Sequence, residues 1–195
     1  MKYLRRLSAT LTGLMLLFLL PSASVEAADQ DSVDVFSQRF ERAFGNELRL
    51  SVLAREPDRV EESVDIEAEF LLDVGAEFTI LDRPLAFRPL VGVSVNAEGF
   101  TNFLFTQVAA SYAITDWLFV EGALGATVHD GEISGISQTR LNLGCRVLFR
   151  ETANVGVRVT PNINVIGGVS HASNGGLCDQ NAGVTNFGGR VGLRF

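Results

Sequence analysis

Two residues whose types suit acyl transfer stand two apart near the end of the chain, His171 and Ser173, in the run His171-Ala172-Ser173-Asn174-Gly175-Gly176. A serine hydroxyl becomes a competent nucleophile only with a base in hydrogen-bond reach, and imidazole has suitable basicity near neutral pH. Residues two apart in a β-strand share a face, so this spacing sets the two groups side by side. Asn174, Asn181 and the backbone around Gly175 and Gly176 offer donors for the oxyanion that attack on a carbonyl creates. A His and a Ser at a strand end can equally be ordinary polar rim residues. The face they occupy separates the two readings.

The elements that must position them are strands. From Asn46 onward apolar residues recur with period two, the signature of sheets rather than helices. Val64, Ile66, Ala68, Phe70, Leu72, Val74 and Ala76 alternate with Asp65, Glu67, Glu69, Asp73 and Glu77. Seven similar runs are centred on Leu50, Val91, Val108, Leu124, Cys145, Val159 and Val191, with turns expected at Leu81–Pro84, Thr115–Asp116 and Glu151–Asn154. The expectation is all-β, an eight-stranded antiparallel barrel over residues 46–195. The loops after the odd-numbered strands are the longer ones, an asymmetry usual in outer-membrane barrels.

The start of the chain reads as processing, not fold. Lys2, Arg5 and Arg6 precede the apolar run Leu7 to Leu20, and Pro21 to Ala27 supplies small residues for cleavage after Ala27. Residues 1–27 are therefore an expected signal peptide, and residues 28–45, with Phe36, Phe40 and Phe44 at helical spacing, a periplasmic lead-in. The 195-residue chain carries a formal net charge of −7, which removal of a positive leader makes more negative. That excludes nucleic acid as a partner. Two cysteines would meet an oxidising compartment after export. Cys145, read in the middle of strand six, lies too far from Cys178 in the last outer loop for a bond to be expected. His129, beside Asp130 and Glu132, lacks the convergent ligands of a metal site; no metal and no cofactor are expected.

The polar face of these strands carries Arg49, Arg88, Arg140, Arg146, Arg158, Arg190 and Arg194 alongside Asp65, Glu67, Glu69, Asp73, Glu77 and Glu121. A soluble sandwich would turn that face to water. An eight-stranded barrel in lipid reverses the arrangement and fills its narrow interior with side chains. The reversal predicts a transmembrane barrel with a plugged polar interior, residing in the outer membrane. It also sends the odd positions of strand seven outward: Val155, Val157, Val159, Ile163, Val165, Val169, and with them His171 and Ser173. Thr185 shares the outward parity. Polar groups facing lipid are expensive and point to function, and an ester in the outer leaflet would be presented to this surface.

His171-Ala172-Ser173-Asn174-Gly175-Gly176-Leu177, followed by Asn181, Gly183 and residues 186–195, resembles the C-terminal signature of PagL-type lipid A deacylases, the acyloxyacyl hydrolase family. Val128 to Glu132 and Leu148 to Glu151 resemble family sequence too, so that the likeness covers roughly residues 75–195. The resemblance implies a carboxylic ester hydrolase of the outer membrane that trims lipopolysaccharide, removing the acyl chain at the 3-position of lipid A. Carried over residue by residue, Ser173 is the nucleophile and His171 the general base. The chain departs from the family at Thr185, which occupies the position of the triad acid. Threonine can hold an imidazole tautomer but brings no charge, and neutralising the acid of a serine triad costs about 10⁴ in turnover. Asp179, in the same loop, is the candidate substitute acid. The alternative reading is a non-catalytic small outer-membrane barrel, structural or adhesive, that has lost the triad acid. The expected partner is lipid A in the outer leaflet, with a homo-oligomer left open.

Overall fold

The alternation of Glu47 to Arg55 is carried through the whole strand, every odd side chain buried and every even one exposed. The computed structural model describes residues 44–195 apart from Asp58 and Ile136. The expected signal peptide and nearly all of the lead-in lie outside the described residues. The strands are β1 (Glu47–Arg55), β2 (Val64–Leu71), β3 (Glu77–Ile80), β4 (Arg83–Asn96), β5 (Phe103–Ala113), β6 (Leu118–His129), β7 (Val147–Arg158), β8 (Ile163–Ser173) and β9 (Val184–Arg194). All neighbours are antiparallel, in the order β2-β1-β9-β8-β7-β6-β5-β4-β3, and pairing of β2 with β4 closes the ring. Both β2 and β3 pair with β4, at Asp65↔Asn96 through Leu71↔Leu90 and at Glu77↔Ala86 through Ile80↔Arg83. They are one barrel strand interrupted at 72–76, so the barrel has eight strands. Closure pairs every strand on both sides except short β3, whose one ladder is to β4; a closed ring is the condition for strands to cross hydrocarbon.

One expected turn is in the wrong place. Glu151–Asn154 lies in the middle of β7, in unbroken register with both β6 and β8. The reversal is at 159–162 instead, where Val159 N–H donates to Ile163 O at 2.9 Å and the Thr160 hydroxyl accepts from Asn162 and Ile163 N–H. Pro161, which has no N–H for a ladder, marks that turn. Consequently residues 141–146, read as strand, belong to the long loop between β6 and β7. The loops after β1, β4, β6 and β8 gather at one end of the barrel, and the turns after β3, β5 and β7 at the other.

Charged side chains point inward and pair. Arg49 is fully buried and bonds Glu121 through both terminal nitrogens (2.6 and 2.9 Å) and Glu47 (2.9 Å). Arg88 joins the same two carboxylates, and Ser111 and Asn154 complete the shell of Glu121. A second group links Glu67 to Arg150 (2.5 Å) and Arg190 (3.3 Å). Nearer the long loops, Arg55 spans Asp65 and Glu61. Arg140 and Arg146, expected inside, sit on the β6–β7 loop. Phe119 is buried against Phe44 with ring centroids 5.8 Å apart, whereas nearby Trp117 is exposed. Leu50, Val52, Leu104, Leu124, Val155 and Val191 are more than half exposed and face out.

An interior ion pair is costly to halve, because the remaining charge stays buried. Glu121→Leu strands Arg49 and Arg88 and is expected to cost about 3–5 kcal/mol, read as a lower denaturant midpoint in detergent micelles.

Candidate active site

Strand β8 delivers His171 and Ser173 at its last turn of alternation, immediately before the 174–183 loop. Gly167 and Gly168 do not break the register, since β8 pairs continuously with β7 from Asn164 to Ser173 and with β9 from Ile163 to Ala172. Both side chains are therefore on the outward face, half-buried. His171 stands directly opposite Thr185 on β9 and directly opposite Glu151 on β7. The outward positions of β6 to β9 and of β1 are otherwise apolar or glycine. Glu151, His171, Ser173 and Thr185 form one polar island on an apolar wall.

The imidazole Nδ1 lies 2.9 Å from the Thr185 hydroxyl. With Nδ1 protonated and donating, Nε2 carries the lone pair a general base needs. The other edge of the ring rests on Gly183, where a Cβ would come within 3.1 Å of Cε1. Gly183 also has φ +65°, a conformation costly for other residues. Ser173 Oγ makes no hydrogen bond to a described residue, and bonds to a nucleophile often tighten only when substrate arrives.

The adjoining loop is fastened from inside. Asn174 is buried, its Nδ2 donating to Leu143 O (2.8 Å) and Gln180 O (2.5 Å), while its Oδ1 accepts from Gly176 N–H (2.8 Å). Asn181 Oδ1 accepts from Asn174 N–H at 3.0 Å. Among the four donor candidates, these bonds occupy Asn174 and Gly176. The Gly175 N–H and the Asn181 Nδ2 make no hydrogen bond to a described group. Asp179 is exposed on the loop and has no hydrogen bond or ion pair with His171.

Cys145 and Cys178 are joined in a disulfide, with Cα atoms 5.9 Å apart, contrary to the expectation from sequence. That expectation rested on placing Cys145 in mid-strand. Because β7 begins only at Val147, Cys145 lies at the same rim as Cys178. The two loops meet so closely that a Cβ on Gly144 would fall 1.9 Å from Gln180 O. His129 is a strut in the same rim: its Nδ1 accepts from Gly131 N–H (3.1 Å), which makes Nε2 the donor to Cys145 O (2.6 Å).

The residue that sequence reasoning missed is Glu151. The misplaced turn put it in a loop; the unbroken parity of Val147, Phe149, Glu151, Ala153, Val155 and Val157 was the available signal. Its carboxylate has no hydrogen bond or ion pair among the described residues, and its neighbours across and along the sheet are Leu124, Phe149 and Ala153.

A family model described as lipid A 3-O-deacylase (PagL) matches residues 38–194. No curated protein matches the chain by sequence. Among solved structures, the outer membrane enzyme PagL is similar at 18% identity over 76% of this chain and 99% of that one, with a TM-score of 0.64, a likeness of fold. A de novo designed transmembrane β-barrel is similar at 14% identity over 75% and 92% of the two chains, TM-score 0.47. The outer membrane protein Ail of Yersinia pestis is similar at 14% identity over 77% and 98%, TM-score 0.46.

The disulfide is directly checkable. Protein purified without reductant should take up no maleimide, and should take up one per cysteine after reduction and unfolding, measured by intact mass.

Proposed function

We propose, for a chain that belongs to the lipid A 3-O-deacylase (PagL) family, that it acts in the outer membrane as a serine esterase, removing the ester-linked acyl chain at the 3-position of lipid A. The observation that carries this reading is the polar island. A His and a Ser that face lipid, beside a fastened loop with unused donors, have no part in holding the barrel together. They suit an ester that arrives sideways from the leaflet.

In this mechanism Ser173 Oγ attacks the ester carbonyl carbon while His171 Nε2 takes the hydroxyl proton. The tetrahedral oxyanion accepts hydrogen bonds from the Gly175 N–H and the Asn181 amide. Asn174 and Gly176 act one step back, holding the loop that presents them. Collapse breaks the bond to the sugar oxygen, which leaves with the proton from His171. Water then attacks the acyl-serine with His171 again as base, releasing a fatty acid and free Ser173. A small pocket beside Gly183 and Thr185, lined also by Arg55, Arg59, Glu61 and Leu141, has room for about one water. Arg59 is tethered there through the Ala182 carbonyl at 2.5 Å.

The second reading, a barrel without catalysis, draws on Thr185, which contacts the base but cannot bear charge. Mass spectrometry of lipid A from cells producing the wild type and Ser173→Ala separates the two. Loss of one hydroxyacyl chain with the wild type alone is the expected result; intact lipid A in both, with the barrel folded in the membrane, overturns hydrolysis. Gly183→Ala should push the imidazole off its seat and lower kcat by up to about 100-fold, the scale of a misplaced reacting group, measured on lipid A vesicles.

A further inference from the structure

The acid of a serine triad does two things: it fixes the imidazole's tautomer and orientation, and its charge stabilises the imidazolium formed when serine gives up its proton. Thr185 does the first at 2.9 Å from Nδ1 and, being neutral, cannot do the second. We propose that the charge comes from the opposite side, from Glu151 on β7, so that the two tasks are divided between the strands flanking His171. This inference rests on the esterase reading above.

Three observations carry it. Glu151 and His171 are direct cross-strand partners, a relation that places Cβ atoms about 4.5–5.5 Å apart. Glu151 is on the outward face among Leu124, Phe149 and Ala153, where a carboxylate is expensive and where no cation pairs with it among the described residues. Every other outward residue of β7 is apolar. A solitary carboxylate on a lipid-facing wall, beside the one histidine on that wall, does nothing for the fold that an apolar residue would not do better. Its charge acts in low dielectric, where it reaches the imidazole with little screening. Asp179, the substitute acid expected from sequence, is instead on the exposed loop with no bond to the ring.

No covalent step is added. When Ser173 loses its proton to Nε2, the ring becomes a cation bonded to Thr185 through Nδ1 and facing Glu151 across the β7–β8 pair. Glu151 is thus a positioning residue for charge; it touches neither substrate nor the reacting atoms.

The test uses the full mature chain folded in detergent, checked by heat-modifiable gel mobility, with lipid A vesicles as substrate and mass spectrometry as readout. Glu151→Gln keeps shape and removes charge. It should lower kcat about 100-fold, the worth of one unit charge about 6 Å away at an effective dielectric of about 20, with KM unchanged. Glu151→Asp should retain most of the rate. The double variant Glu151→Gln, Thr185→Glu brings both tasks back to one residue and should recover activity. A Glu151→Gln enzyme as fast as wild type, with Ser173→Ala inactive, overturns the division of labour and leaves the esterase standing. A slow Glu151→Gln whose KM rises and which Thr185→Glu does not rescue makes Glu151 structural, and also overturns it. Inactivity of wild type and Thr185→Glu alike overturns the esterase itself.

Discussion

Hydrocarbon offers no partner to a backbone N–H or C=O, so a sheet that crosses it must close upon itself. Everything else about this chain follows from that requirement. Pairing of β2 with β4 completes the ring, alternation then divides side chains into those inside and those facing lipid, and the sign of the usual arrangement is reversed. Arginines and carboxylates meet in the interior, where Arg49, Arg88, Glu47 and Glu121 pair with one another. The same rule that puts them inside makes any polar group outside conspicuous.

Four such groups occur together on one wall, and their adjacency depends on register across three strands. Ser173 and His171 share β8, Thr185 is brought alongside by β9 and Glu151 by β7. A rim of buried loop contacts supports them from the inside: Asn174 ties the last loop to Leu143 and to its own far side at Gln180, and the Cys145–Cys178 bond links it to the β6–β7 loop. The polar island on the outer face is thereby held by structure on the inner face. For the proposed esterase this suits a substrate that never leaves the membrane, since nothing has to enter the barrel.

Most of the architecture was legible along the chain, because a period of two over long strands with charges on one face has few solutions. The parity of His171 and Ser173 was legible too. It survived even a misplaced turn, because Pro161 and the residues around it return the chain with the same odd positions outward. What the misplaced turn concealed was Glu151 and the disulfide. Glu151-Thr152-Ala153-Asn154 looks like a loop by composition, and its polar residues mislead because Thr152 and Asn154 point into a polar interior. Moving Cys145 out of mid-strand and into the rim loop was enough to bring it to Cys178.

The residues themselves determined the alternating strands, the inward charges and a His-x-Ser pair on the outer face, since each is a property of spacing along one strand. Register between strands is not such a property. Which residue of β7 or β9 stands beside His171 depends on where the turns fall and on how the ring closes, and only the tertiary structure decided it. That pairing set a hydroxyl on one side of the imidazole and a carboxylate on the other, two residues far apart in the chain that antiparallel pairing brings alongside the same residue.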